Sequence, residues 1–228
     1  MSALVDLRVD WCSYEAAKYA VEKWHYSRVM PAGKTVKIGA WEGGVYIGAV
    51  VFSWGANNHI GSPYGLNQTE VCELVRVALS DHKSPVSQIV TAALRLLQGQ
   101  SPGLRLIVSY ADPEQGHNGA IYQAMNWLYV GSSCPQRETL RTDGSVMHKR
   151  TAHSLYGTIK GLEASRVLWK HKYLYPLDRA MRKQIAPLAQ PYPQRETCGP
   201  GVEGDTATDQ VAGAGSIPAA RSGDELTL

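Results

Sequence analysis

The chain contains no run of about 18 apolar residues, so no segment reads as a membrane-spanning helix. Its four cysteines, Cys12, Cys72, Cys134 and Cys198, form neither a CxxC pair nor the spacing of a Cys/His finger. The N-terminus lacks the basic region and long apolar stretch of a secretory signal, and no internal repeat is visible. Together these absences point to a reducing cytoplasm. The last stretch, residues 197–228, has no aromatic residue and no sustained helical or strand period. It cannot offset its ordering entropy by burial and is expected to be a disordered tail.

What remains is a body, residues 1–196, rich enough in apolar side chains to bury a core, since 44% of the 228 residues are apolar. The tail carries five acids (Glu203, Asp205, Asp209, Asp224 and Glu225) against one base, Arg221, which leaves 22 of the 23 Lys/Arg and 15 of the 20 Asp/Glu in the body, about +7. That balance suits a polyanion such as nucleic acid without requiring one.

Periodicity predicts a helix over 13–24, with Ser13 as its cap and Ala16, Ala20 and Trp24 on one stripe. Two strands, VKIGAWE and VYIGAVVFSWG, flank the turn Gly43-Gly44. TEVCELVRVAL reads as a third strand, SPVSQIVTAALRLLQ as a helix packed on a sheet, and LRLIVSYAD as a strand covered on both faces. A helix over 119–127 follows, then strands at WLYVG and within 139–151, while WKHKYLYPLDRAMRK reads as a DNA-facing helix or a packed terminal element. The predicted order is α, β, β, β, α, β, α, β. Antiparallel strands followed by strand-helix units make an α+β sandwich with a mixed central sheet and helices on both faces, similar to the GNAT acyltransferase fold. In such a fold the central strands splay, and a site would border the ends of the strands at 70–78 and 104–110.

Three polar groups could carry chemistry. In YADPEQGHNGAIYQAMNW, Asp112 ends a buried strand, His117 lies between Gly116 and Gly119, and Tyr122 follows one turn into a helix. The same residues also suit an ordinary turn with a packed tyrosine. In KWHYSRVMPAGK, His25 and Tyr26 end the first helix, with Arg28 and Lys34 in the loop behind; His25 could equally be a helix cap. In ELVRVALSDH, Glu73 and Arg76 are three residues apart, which places them on opposite faces of a regular strand, each needing its own partner. Arg76 could hold a phosphate or carboxylate.

Taken together, WHYSR, KIGAWEGG, FSWGANNHIG, ELVRVAL, SYADPEQGHNGAIYQAMNWLYVG, KYLYPLD and PYPQR resemble the Mom family of bacteriophage DNA-modification proteins, from about Trp24 to Arg195. The resemblance implies a GNAT-like fold and conversion of adenine in double-stranded DNA to its N6-carbamoylmethyl derivative in the host cytoplasm, which protects phage DNA from restriction. It places functional residues on His25, Tyr26, Asp112 and Tyr122. Substrate contacts fall to Arg76, His117, Gly116, Gly119, Arg28 and Lys34 from local chemistry. Lys37, Lys149 and Arg150 are further phosphate candidates, and Trp24, Tyr26, Trp54 and Tyr64 could stack on a flipped base.

Two donors are open. Where an acetyl-CoA enzyme carries a glycine-containing pyrophosphate loop, this chain has SDHKSPVSQ, without a glycine. The product group, counted from the adenine amine, equals glycinamide, which favours a glycine-derived donor such as glycyl-tRNA. The family also raises iron, for which His25, Tyr26, Asp112 and Tyr122 are all suitable ligand types, His25 and Asp112 foremost; direct acid/base roles, with Asp112 or His25 taking a proton and a tyrosine donating to the leaving group, are the favoured alternative. The competing readings are a conventional GNAT N-acyltransferase acting on a small amine or protein, and a DNA-binding accessory without chemistry.

Overall fold

The computed structural model describes residues 6–55, 59–133, 136–140, 146–148 and 164–194. The tail at 197–228, Lys149 and Arg150 lie outside the described residues. The first element, β1 (Leu7–Trp11), is one that the sequence reading left out: LRVDW alternates as an edge strand should, and it runs antiparallel along β2 (Thr35–Glu42) from Leu7↔Glu42 to Trp11↔Ile38. Between them α1 (Tyr14–Trp24) starts where the Ser13 side chain accepts the Ala16 N–H at 3.1 Å. The expected hairpin is present: β2 turns into β3 (Val45–Ser53) through Gly43 and Gly44, both at positive φ, which glycine adopts without a Cβ clash.

Chain order then continues through β4 (Val71–Leu79), α2 (Val86–Gln100), β5 (Leu106–Ala111), α3 (Ala120–Ala124) and β6 (Leu128–Ser132). The helix expected over 119–127 is cut to Ala120–Ala124 because Asn126 takes a positive φ and turns the chain into β6. Strands β7 (Gln136–Leu140), β8 (Val146–His148) and β9 (Ala164–Leu168) form a separate sheet in the order β8-β7-β9. The main sheet has seven strands in the order β1-β2-β3-β4-β5-β10-β6. Its β10 (His171–Pro176) corrects the reading of WKHKYLYPLDRAMRK as one DNA-facing helix. Tyr173 and Leu174 are buried in a strand inserted antiparallel between β5 and β6, and only α4 (Arg179–Ile185) is helical, started by Asp178 accepting the Met181 N–H.

One face of the sheet packs α2, through Ile89, Val90, Ala93, Leu94 and Leu97, against Ile38, Val50, Phe52, Leu74 and Ile107. The other face has two separate packing clusters. Under α1, Ala17, Ala20 and Val21 meet Ala49, Val51 and Ala78, and small side chains on both sides let the helix lie close. Under α4, Met181 and Ile185 meet Val71, Leu106, Val108 and Leu174. The pairing of β4 with β5 is parallel and runs only from Val71↔Leu106 to Leu74↔Ser109. Beyond Leu74 the two strands part, as a GNAT-like sandwich requires.

Candidate active site

A β-bulge decides which side chains reach the gap. Opposite β3 the register steps from Val51↔Arg76 to Phe52↔Leu74, leaving Val75 as an extra residue in β4. Leu74 therefore shares the α2 face with Val77 and Leu79, and the alternation is reset between them. Glu73 and Arg76 consequently share the α1 face, which corrects the expectation that three residues of spacing would separate them. Burial lowers the pKa of Arg76, and the nearby Tyr26 and Glu73 act against that shift. Its guanidinium donates to Val75 O at 2.7 Å and Val29 O at 3.4 Å.

The close approach of α1 delivers its last residues to the same place. His25 is only 8% exposed. Its Nδ1 accepts the Ser27 N–H at 3.1 Å and lies 2.8 Å from Ser27 Oγ, so in the neutral ring Nε2 carries the hydrogen. Burial pushes its pKa down to about 3, with Arg76, His117 and Lys170 adding like-charge repulsion. The ring lies 4.3 Å from that of Tyr26, which also meets His117 edge-on at 5.3 Å. Lys170, set beside β5 by the pairing His171↔Ala111, bonds Asp112 at 2.9 Å. The second Asp112 oxygen accepts the Glu114 N–H at 3.1 Å.

Tyr122 reaches the parting point from α3. Its hydroxyl is 2.7 Å from Ser109 Oγ, and Ser109 in turn donates to Leu74 O at 2.8 Å, so Tyr122 is the donor toward Ser109. Burial pushes the phenol up to about 12 and keeps it protonated. His25, Tyr26, Arg76, His117, Asp112 and Tyr122, from three chain segments, thus gather around one gap. Lys170 and Ser109 join them, though neither was singled out within its motif; the alternation of HKYLYP as a strand was the available signal for Lys170.

Other candidates are used by the fold. Arg28 takes a positive φ of 51° and lays its guanidinium on Glu22 O, at 2.9 Å, and on Lys23 O, so it caps α1. A Cβ on Gly119 would stand 2.4 Å from the Tyr173 ring, whose hydroxyl donates to Asn118 O; the glycine serves that packing. Gly116, at φ 70°, closes the turn after Asp112 and faces open space. Tyr64 is core, Trp24 packs on Tyr19 and Tyr46, and Lys37 bonds Thr35 O. Tyr26 and Trp54 stay open, 45% and 44% exposed. Trp54 and Lys34 line a cavity of about 300 Å³ with Ala32, Gly33, Ser53, Gly55 and Gln68. Glu73 borders it, since a Cβ on Gly55 would lie 3.4 Å from its carboxylate. A larger recess of about 520 Å³ between β1 and α2 holds none of the residues gathered at the gap.

Among the described residues, no three His, Cys, Asp or Glu side chains converge as a metal site. As placed, Asp112 faces Lys170 and His25 Nδ1 faces Ser27, so the two expected iron ligands do not present a joint set.

Fold and cleft together define a GNAT-like α+β protein with an aromatic, cationic site at parted central strands. The chain belongs to the Mom protein family, whose sequence profile matches residues 6–194. It is 26% identical over 205 residues to the methylcarbamoylase mom of Escherichia phage Mu, across 83% of this chain and 84% of that protein. Among solved structures, an acetyltransferase from Acinetobacter baylyi ADP1 superposes with a TM-score of 0.46 at 11% identity, covering 78% of this chain and 96% of the other. FeeM, an N-acyl amino acid synthase from uncultured soil microbes, gives 0.46 at 12%, covering 82% and 99%. No activity carries over from likenesses of this order. No helix among the described residues is long and apolar enough to cross a membrane.

Proposed function

We propose that this protein is a transferase that converts adenine in double-stranded DNA to N6-carbamoylmethyladenine in the host cytoplasm, and so shields phage DNA from restriction. Residues 1–196 form the working body and 197–228 an appended tail. The observation that carries this reading is the convergence at the β4/β5 gap of WHYSR and ADPEQGHNGAIY, the two segments whose polar residues stood out in the sequence.

The chemistry follows from the groups present. The adenine amine is a weak nucleophile because its lone pair is delocalised into the ring, so it needs a base as its new bond to carbon forms. Asp112, held by Lys170 and the Glu114 N–H, is that base. Tyr122 stays protonated, and its hydrogen, which rests on Ser109 Oγ in the free protein, turns to the leaving group to return a proton there. Neutral His25, hydrogen-bearing at Nε2, donates to the ligand and cannot accept a proton at that nitrogen. Because the amine lies inside the duplex stack, the base must be flipped out. Trp54 and Tyr26 offer the exposed aromatic faces to receive it, and Lys34 and Arg76 the cations to hold its phosphates.

The test is mass analysis of nucleosides from plasmid DNA of a bacterium expressing the protein. A deoxyadenosine heavier by a carbamoylmethyl group, absent with Asp112→Ala, is expected. Unmodified DNA from cells containing folded wild-type protein would sink the reading.

A further inference from the structure

Acetyl-CoA is the donor that a GNAT-like fold brings forward, and its diphosphate would have to be received by backbone N–H groups in the turn between β4 and α2. The residues of that turn do not fit it. The Glu42 carboxylate, from the last residue of β2, accepts the Lys83 N–H at 2.9 and 3.1 Å and the Ser84 N–H at 2.6 Å. The next residue, Pro85, has no N–H to offer. Further along, the Gln88 and Ile89 N–H groups both return to Pro85 O, which leaves Val86 and Ser87 as the helix-start donors beyond the turn. Asp81 adds a negative charge to the same turn and Lys83 a positive one.

Electrostatics hold the carboxylate there in its charged form. Partial burial raises the Glu42 pKa, but hydrogen bonds from the Ser84 side chain and from the Lys83 and Ser84 backbone outweigh it and leave the group below the usual glutamate value. At neutral pH a diphosphate meets an anion already in its place. To bind, it would have to eject that carboxylate and then face it across the turn.

We propose that Glu42 is a specificity-determining residue: its carboxylate occupies the anion position ahead of α2 and shuts out donors carried on a diphosphate. The donor class left is one whose reactive carbon enters the β4/β5 gap without a phosphate contact at this turn. As a statement about the donor this rests on the transferase reading above; as a statement about the turn it does not.

Calorimetric titration of the full chain with acetyl-CoA and with inorganic pyrophosphate, at neutral pH, tests it on wild type, Glu42→Ala and Glu42→Gln. Wild type is expected to bind neither ligand below about 1 mM, and Glu42→Ala to bind pyrophosphate at least about tenfold more tightly than wild type. Glu42→Gln, nearly isosteric, should fall between the two and carries the comparison if the alanine variant does not fold. Micromolar binding of acetyl-CoA by wild type overturns the proposal. So do folded variants no tighter than wild type, because the exclusion would then lie with Pro85 and the missing glycine. Nucleoside masses from the same cells keep the two readings apart: unmodified DNA with wild type defeats the transferase reading and leaves the binding comparison intact.

Discussion

Two polar groups flank β4, one at the turn into α2 and one at the end of α1, and they are in opposite states. At the first, Glu42 meets two N–H donors of its own chain, so the group is complete and closed. At the second, buried His25 and half-buried Arg76 meet the exposed Tyr26 and His117, and burial together with the cationic groups there opposes protonation of His25. Charge and polarity alone do not distinguish the two. The counterpart does: Glu42 receives N–H donors of the turn it faces, whereas the Arg76 guanidinium donates to the carbonyls of Val29 and Val75.

The largest effect that could break this contrast is on activity. Asp112→Asn and Tyr122→Phe should each lower adenine modification by about 10²- to 10⁴-fold while the circular dichroism spectrum stays that of wild type. Near-normal modification by either variant would move the chemistry away from the gap. Next comes the gain of pyrophosphate binding by Glu42→Ala, which would open the closed group.

The pH dependence of stability sharpens the other side. Above pH 6.5, His25 is neutral folded and unfolded; below it the unfolded chain takes up a proton that the folded one refuses until about pH 3. The stability linked to His25 is therefore full above 6.5 and lost as pH falls toward 3, at no more than about 1.4 kcal/mol per pH unit. His171, whose pKa burial also lowers, acts in the same direction, so the quantity to measure is the difference in denaturation midpoints between wild type and His25→Gln. Equal slopes would mean that His25 is not held neutral.

Two cations of the same loop give a smaller comparison. Lys34→Ala should reduce the salt slope of DNA binding by about 1, whereas Arg28→Ala should leave that slope alone and lower stability by about 1 kcal/mol through the lost cap. Smallest of all, Ser13→Ala should cost about 1 kcal/mol or less of helix stability with no change in modification.

The hairpin at Gly43-Gly44, α1 with its Ser13 cap, α2, and the buried strand before Asp112 were legible in the sequence because each follows from a local period or a turn residue. The bulge at Val75 was not. ELVRVAL alternates as well with the bulge as without it, and only pairing with β3 inserts the extra residue that turns Arg76 toward Glu73. Tyr26, His117, Asp112 and Tyr122 could be picked out as reactive side chains at element ends, but Arg28 and Gly119 looked no different from them. Their commitments, to a helix end and to a tyrosine ring, are tertiary contacts.

Residue type and local period settled most of the segments that become helix and strand and which family the chain belongs to, since these are properties of neighbours along the chain. Burial, partner and facing direction were settled only on folding. Lys170 meets Asp112 because β10 slots beside β5, and Glu42 meets Ser84 because a hairpin end lies under the turn into α2. Such contacts join residues 41 to 58 positions apart, and no period along a sequence encodes a distance that the sheet alone creates.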